Sequence, residues 1–544
     1  MKMLLLRKDI TPDTADISGR TPLSQAARNG HEAIVEMLLE REDVAPDTAD
    51  MDGRTPLMWA AEFGTVDLVK VFLQQEDSAP NTLSIYGQTP LLWAARNGHE
   101  GIVEMILKRK DVTPYTADKD GRTPLSWAAR NGHGGIIRML LARDDVTRNT
   151  TDENGRTPLL WAAGNGHEGI VKMLLEREDV TPDTADRDLK TPLLWAAGNG
   201  CEGIVEMLLE QESVAPNTAD KDGRTPLSWA AEFGKEGVVK ILLEREDIAP
   251  NSPDKNGRTL LLWAARSGYG GVVKMFLARE DVTPDTADKD GRTPLQWAAG
   301  NGHEHVVEIL LERGDVTPST ADRDGRTPLL WAAGNGHKCV VKMLLEREDV
   351  TPNTADKDGR IALSQAAGNG YMSVIKMLLE RADALPNSAD KDGQTPLVWA
   401  ARNRHRDVVN TLLKLQDLTP ATTDKAGLMP RSSIEEHGHT SLVEMLPGWC
   451  TVSQDMVIAD LTGQTAIAPT SEKQHGPTLK RKFEDHGSVS QAAGINSSTG
   501  LSHLSPPSHL PTLSKVPDIL TPTTNARHPR NLEPVMLHCL TTKF

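Results

Sequence analysis

The sequence predicts an all-α solenoid, in which short helix pairs stack in register along most of the chain. Three observations carry that expectation. The tripeptide Thr-Pro-Leu recurs from Thr21 to Thr395 at intervals of 34 residues or a multiple of 34. Each copy holds two stretches with the apolar spacing of a helix, and a turn rich in Pro, Asp and Gly closes it. A period of roughly 20 to 50 residues marks a stacked array, because one such unit is too small to bury its own apolar faces.

Within a copy, "TPLLWAARNGHEGIVEMILKRKD" at 89–111 shows how the elements arise. Thr89 is the natural N-cap, and Pro90 takes the first helical position, where its missing N–H is no loss. Leu91, Ala94 and Ala95 form one narrow stripe at i, i+3 and i+4. Asn97-Gly98 ends this helix where a left-handed residue is wanted. A second helix runs from about Glu100 to Arg109 and buries Ile102, Val103, Met105, Ile106 and Leu107. "DVTPYTADKDG" then supplies the turn.

Twelve such units fill 18–426, with degenerate starts at Thr259 (Thr-Leu-Leu) and Ile361 (Ile-Ala-Leu). Residues 1–17 read as a partial repeat with only a second helix and loop. Residues 427–449 read as a worn capping repeat. The Ser-, Thr- and Pro-rich segment 450–544 reads as a disordered tail. Leu189 stands where other turns have Gly, and Arg404 replaces the Gly that ends a first helix. Leu260 and Ala362 replace the Pro. These four sites are expected to be weak joints, with opening first near Arg404 and the eleventh unit.

A net charge of −16 disfavours general binding to nucleic acid or anionic membranes. No run of about 18 apolar residues is present to cross a bilayer. The opening "MKMLLLRKD" is too short in apolar residues for a secretory leader. Cysteines 201, 339, 450 and 539 have neither metal nor disulfide-framework spacing. No phosphate loop, nucleophile elbow or zinc motif occurs, so no enzyme activity, cofactor, metal or small-molecule substrate is expected. The expected location is the cytoplasm. Lys480, Arg481 and Lys482 form a candidate nuclear import signal.

"DKDGRTPLSWAARNGHGGIIRMLL" at 118–141 resembles the ankyrin repeat. The resemblance spans roughly residues 1–446. It implies antiparallel helix pairs, hairpin loops at right angles to them, and a concave surface that binds other proteins without chemistry. The family's His after Thr-Pro-Leu is replaced here by Ser, Met, Leu, Gln or Val, and the loop is one residue longer than the commonest form. The near-identical wording "TPLLWAARNGHEGIV" is also similar to arrays in large fungal receptor-like proteins, where a NACHT module precedes the repeats. The start inside a repeat fits a piece of such a protein.

Trp59, Trp93, Trp127, Trp161, Trp195, Trp229, Trp263, Trp297, Trp331 and Trp399 recur two residues after the buried Leu, about 200° around the helix. They are expected half covered on the inner face and too far apart for an unbroken indole ladder. Either they seal the joints or they anchor a partner. Three residues later stand Arg96, Arg130, Arg266 and Arg402, but Glu62 and Glu232, and Gly in five copies, one of them after Gln365. A Trp–Arg pair at i, i+3 can meet as a cation–π contact. The swing in charge at this position marks it as a candidate partner-binding row, against neutral drift at a solvated site. His31, His99, His133, His167, His303 and His337 are expected to stabilise turns.

Overall fold

The computed structural model describes residues 11–75 and 78–415. The chain divides into two units, residues 1–454 and 455–544, and every described residue belongs to the first. The segments 1–10 and 416–426, the expected cap at 427–449, and the tail with Lys480, Arg481 and Lys482 lie outside the described residues.

Twenty-four helices, arranged as twelve pairs, make up the described residues, and no strand is present among them. The third repeat pairs Pro90–Asn97 with Glu100–Leu107. Helices of seven to nine residues are too short to persist alone, so the stack holds them. Each first helix packs on the first helices of its neighbours more closely than the second helices pack on theirs. The Leu–Ala–Ala stripe is the reason: Leu91, Ala94 and Ala95 are at most 1 % exposed, and two alanines let backbones approach. Ile102, Val103 and Ile106 are buried as expected, whereas Met105 and Leu107 are only half-buried.

Thr caps the first helix in ten repeats by accepting the N–H three residues on, as Thr89 does from Leu92 at 3.1 Å. Ile361 offers no such oxygen, and Thr395 makes no such bond. A lost cap costs about 1 kcal/mol, which places weak helix starts in the eleventh and twelfth repeats. Where the family's His is missing, Ser24 and Ser126 bond their N-cap Thr. Gln296 regains bonds that composition alone did not promise, donating to the carbonyl of Thr320 in the turn that closes its own repeat and to that of Arg326 at the start of the next.

Successive turns are tied by one backbone bond per joint, such as Lys119 N–H to the Tyr86 carbonyl at 2.9 Å. One bond per turn does not make a ladder, so the hairpins implied by the resemblance carry no strands among the described residues. Turn glycines are needed here twice over. Gly359 has φ +85°, and a Cβ on it would lie 2.8 Å from the Lys391 nitrogen. Leu189 (φ 61°) and Arg404 (φ 65°) are the non-glycine residues at positive φ among the described residues. Leu189→Gly and Arg404→Gly should each gain about 1 kcal/mol. Hydrogen exchange reads this directly: amides beside Arg404 exchange faster than those of 158–164 in the wild type and slow down in the variant. Equal protection of the two regions would contradict the expectation.

The second helices end in a charge clamp. Arg109 forks onto Asp111, and its Nη1 donates to the Leu73 carbonyl of the preceding repeat at 2.8 Å. The same arginine–aspartate fork recurs at Arg143, Arg313, Arg347 and Arg381. The bonded guanidinium holds Asp43, Asp111, Asp145, Asp247, Asp281, Asp315, Asp349 and Asp383 below the usual carboxylate range. A depressed folded pKa gives stability that is present above the unfolded value and lost as pH falls through the folded one. Glu62 and Asp183 act in the opposite sense, because burial raises them. Asp16 and Glu104 are also held low by their hydrogen bonds, and ten groups against two predict a urea midpoint that drops once pH falls below about 4. A midpoint at pH 3 no lower than at pH 5 would reject this.

Candidate partner-binding face

The first helices line up one tryptophan per repeat, and the turn nine residues upstream supplies its partner. Asp118 Oδ1 accepts the N–H groups of Asp120 and Arg122, closing the turn, while Oδ2 accepts Trp127 Nε1–H at 2.9 Å. Trp59, Trp161, Trp195, Trp229, Trp297, Trp331 and Trp399 make the same bond to their own turn aspartates. Gln25 and Gln365 stand in for Trp, and each donates to the same oxygen, of Asp16 and Asp356. The position therefore requires an N–H donor of that reach, which welds turn to helix.

Cations fill the space between successive indoles. Arg54, from the residue before Thr55, lies 4.7 Å from both the Trp59 and Trp93 rings. Arg96 lies 5.2 Å over Trp93, as i, i+3 spacing predicts, and closer still, 4.4 Å, over Trp127 of the next repeat. Arg130 joins Trp127 to Trp161, Arg156 joins Trp161 to Trp195, and Lys190 joins Trp195 to Trp229. Among the described residues no cation bridges Trp229 to Trp263. A second run then links Trp263, Trp297 and Trp331 through Arg258, Arg266 and Arg292. Trp399 carries Arg360 and Arg402. Each contact is worth about 0.5–2 kcal/mol.

This alternation corrects the expectation of half-covered indoles. Trp59, Trp93, Trp127, Trp161, Trp229 and Trp263 are only 3–8 % exposed, and the other four are half-buried as expected, although guanidinium groups lie against these too. Successive indoles touch directly at one place among the described residues, Trp195 and Trp229, 6.0 Å apart and tilted by 54°. That joint has Gly198 where four others have Arg, and a Cβ there would lie 2.6 Å from Trp229 Cε3. The Arg/Gly swing along this row thus has a packing reason: the gap is filled by a guanidinium or by the next indole. Glu62 and Glu232 each meet the arginine before their own Thr, Arg54 at 2.9 Å and Arg224 at 3.1 Å. In both repeats a phenylalanine follows and packs on the tryptophan, Phe63 on Trp59 and Phe233 on Trp229. Burial raises the Glu62 carboxyl in spite of Arg54, Arg96 and Arg28 nearby, and burial likewise lowers the Arg96 and Arg266 guanidinium groups.

Three sets of residues escaped the sequence reading: the turn aspartates, the arginines before Thr, and the Asn of Asn-Gly-His. Asn97 Nδ2 and His99 Nε2 both reach the Glu62 carbonyl of the preceding repeat, at 2.8 and 3.0 Å. His133, His167, His303, His337 and His405 do likewise, so these histidines join repeats rather than stabilise their own turns. A signal for the aspartates was present in the sequence. At the two places where Trp is missing, only its hydrogen-bond donor is kept, as Gln25 and Gln365.

Among the described residues no cluster of three His, Cys, Asp or Glu is placed to hold a metal, and no helix is long and apolar enough to cross a membrane. No curated protein is similar enough in sequence to count as a match. The profile of the family described as ankyrin repeats (3 copies) matches residues 1–84, 67–150, 145–220, 212–286, 271–356 and 348–422. With matches over most of its length and twelve helix pairs in one register, the chain belongs to the ankyrin-repeat family.

Proposed function

We propose that the chain is a non-catalytic scaffold that binds partner proteins through its first-helix face and turn tips. Ankyrin repeats generally are protein–protein interaction modules. The observation that carries the reading to this face is the indole–cation column, a row of charged edges held in place by stacking before any partner arrives. Preorganisation of that kind lowers the cost of ordering side chains on binding. The face would act along its whole length, with Trp59 to Trp399 as its floor and Glu62, Arg96, Arg130, Glu232, Arg266 and Arg402 as its variable charges. The wording "TPLLWAARNGHEGIV" favours a cytoplasmic sensor portion of a larger receptor-like protein of the fungal type. A free-standing adaptor that enters the nucleus through Lys480, Arg481 and Lys482 is the second reading, and it rests on that basic cluster alone.

The test is capture of partners on the full chain, identified by mass spectrometry, beside an Arg96→Glu/Arg130→Glu/Arg266→Glu variant of unchanged circular dichroism. These substitutions reverse charge on the face and leave every indole in place. The expected result is a specific set of proteins lost from the variant. The same set on both chains would reject this face as the site.

A further inference from the structure

We infer that the third and fourth repeats bind an acidic, extended segment of a partner protein, whose carboxylates sit on Arg96 and Arg130. The inference rests on the scaffold reading above and names the chemistry of its partner. Two independent observations show the third repeat to be one carboxylate short. First, Ser84 stands where the other turns have Asp. Its Oγ accepts the N–H groups of Tyr86 and Gln88, as an Asp Oδ1 would. Nothing replaces Oδ2, so Trp93 Nε1 is a buried donor without an acceptor. Second, Arg96 is half-buried between Trp93 and Trp127, and among the described residues its guanidinium makes no hydrogen bond or ion pair. Stacking uses the two faces of a guanidinium and leaves the N–H donors in its plane for a forked carboxylate.

The charges around Arg96 are Glu62, Asp118, Arg54 and Arg122. Glu62 is engaged by Arg54, Asp118 by its turn and Trp127, and Arg122 by Asp120 at 2.7 Å. Of the three guanidinium groups here, those of Arg54 and Arg122 each hold a carboxylate and that of Arg96 holds none among the described residues. Arg130 continues the same column one repeat on, 4.5 Å over Trp161. Neighbouring helices stand about 8–10 Å apart, and an extended chain advances about 3.3 Å per residue. Acidic residues at every third position of the segment therefore match the row. The eighth repeat differs in one respect: Arg266 is placed like Arg96 and Trp263 Nε1 is likewise unpaired, but its turn keeps Asp254, whose unpaired Oδ2 is a carboxylate the third repeat does not have.

The probe is a fluorescein-labelled peptide with Glu at every third position in a Gly-Ser background, titrated into the full chain and read by anisotropy. Arg96→Gln and Ser84→Asp should each weaken binding about tenfold, the former by removing the fork and the latter by supplying the missing charge from within. Lys240→Gln, exposed on a second helix outside this row, should leave binding unchanged, and a Gln-for-Glu peptide should not bind. Ser84→Asp should also melt no lower than wild type, since it gives Trp93 its acceptor. Equal affinity of wild type and Ser84→Asp would overturn the inference, as would tighter binding of a single-stranded oligonucleotide than of the peptide. If wild type still captures partners but ignores the peptide, the acidic segment is wrong and the scaffold reading stands.

Discussion

Asp118→Ala lowers the stability of the array by about 3–5 kcal/mol, the larger of the effects expected from a single polar substitution. The Asp118 side chain is buried and accepts three bonds, from the N–H groups of Asp120 and Arg122 and from Trp127 Nε1. Alanine leaves the fully buried Trp127 Nε1 and two part-buried N–H groups without this acceptor; a buried donor costs about 1–3 kcal/mol and the part-buried ones less. The loss also removes the carboxylate bonded to the indole on which the Arg96, Arg122 and Arg130 guanidinium groups stack. Asp118→Asn should cost less, because its remaining oxygen can still close the turn while its NH2 faces the indole N–H. Urea unfolding followed by tryptophan fluorescence decides the matter. A cost below about 1 kcal/mol for alanine would show that the turn is held by something else.

Phe276→Ala should split the unfolding of the array into two steps. Phe276 is wholly buried in the second helix of the eighth repeat, Gly270–Leu277, and its truncation costs about 3–5 kcal/mol. The site matters because the joints beside it are already thinly tied. Lys235 and Tyr269 stand where other repeats have His, and Phe233 and Ser267 stand where they have Asn. Neither the Gly198 nor the Glu232 carbonyl receives the paired side-chain bonds found at Glu62, Arg96 or Gly300. The indole–cation column breaks at the same place, between Trp229 and Trp263. In an array whose stability sums unit and joint terms, a further loss there uncouples the two sides. Circular dichroism against urea should show two transitions in the variant, and limited proteolysis should cut first between repeats seven and nine. One cooperative transition at a lower midpoint would reject this.

What the sequence made legible is what lies within one copy. The N-cap Thr, the glycine stop, the Leu–Ala–Ala stripe and the i, i+3 meeting of Trp93 with Arg96 are local, and pattern alone located them. The strained Leu189 and Arg404 were legible for the same reason, since positive φ is a local demand made on one residue. The contacts between copies were not. Arg54 on Trp93, His99 on the Glu62 carbonyl and Arg109 on the Leu73 carbonyl join residues more than a repeat apart. In so uniform a chain the period shows that neighbours touch but not which side chains meet. The sequence alone therefore leaves Trp between joint and anchor and does not show the reach of its N–H to Asp. Its pattern at Arg96 is one of charge, whereas Gly198 shows that the volume of the next indole also sets this row.

The hydrogen bonds that tie one repeat to the next, such as Gln296 to the Arg326 carbonyl, 30 residues on, and Thr411 to Met372, 39 residues back, join adjoining copies. Recombination between two near-identical copies adds or removes 34 codons, and the seam it makes presents the same donors and acceptors as the seam it destroyed. Such a protein can lengthen or shorten in whole notches over generations. Each change would offer a new order of surface charges on an unchanged frame.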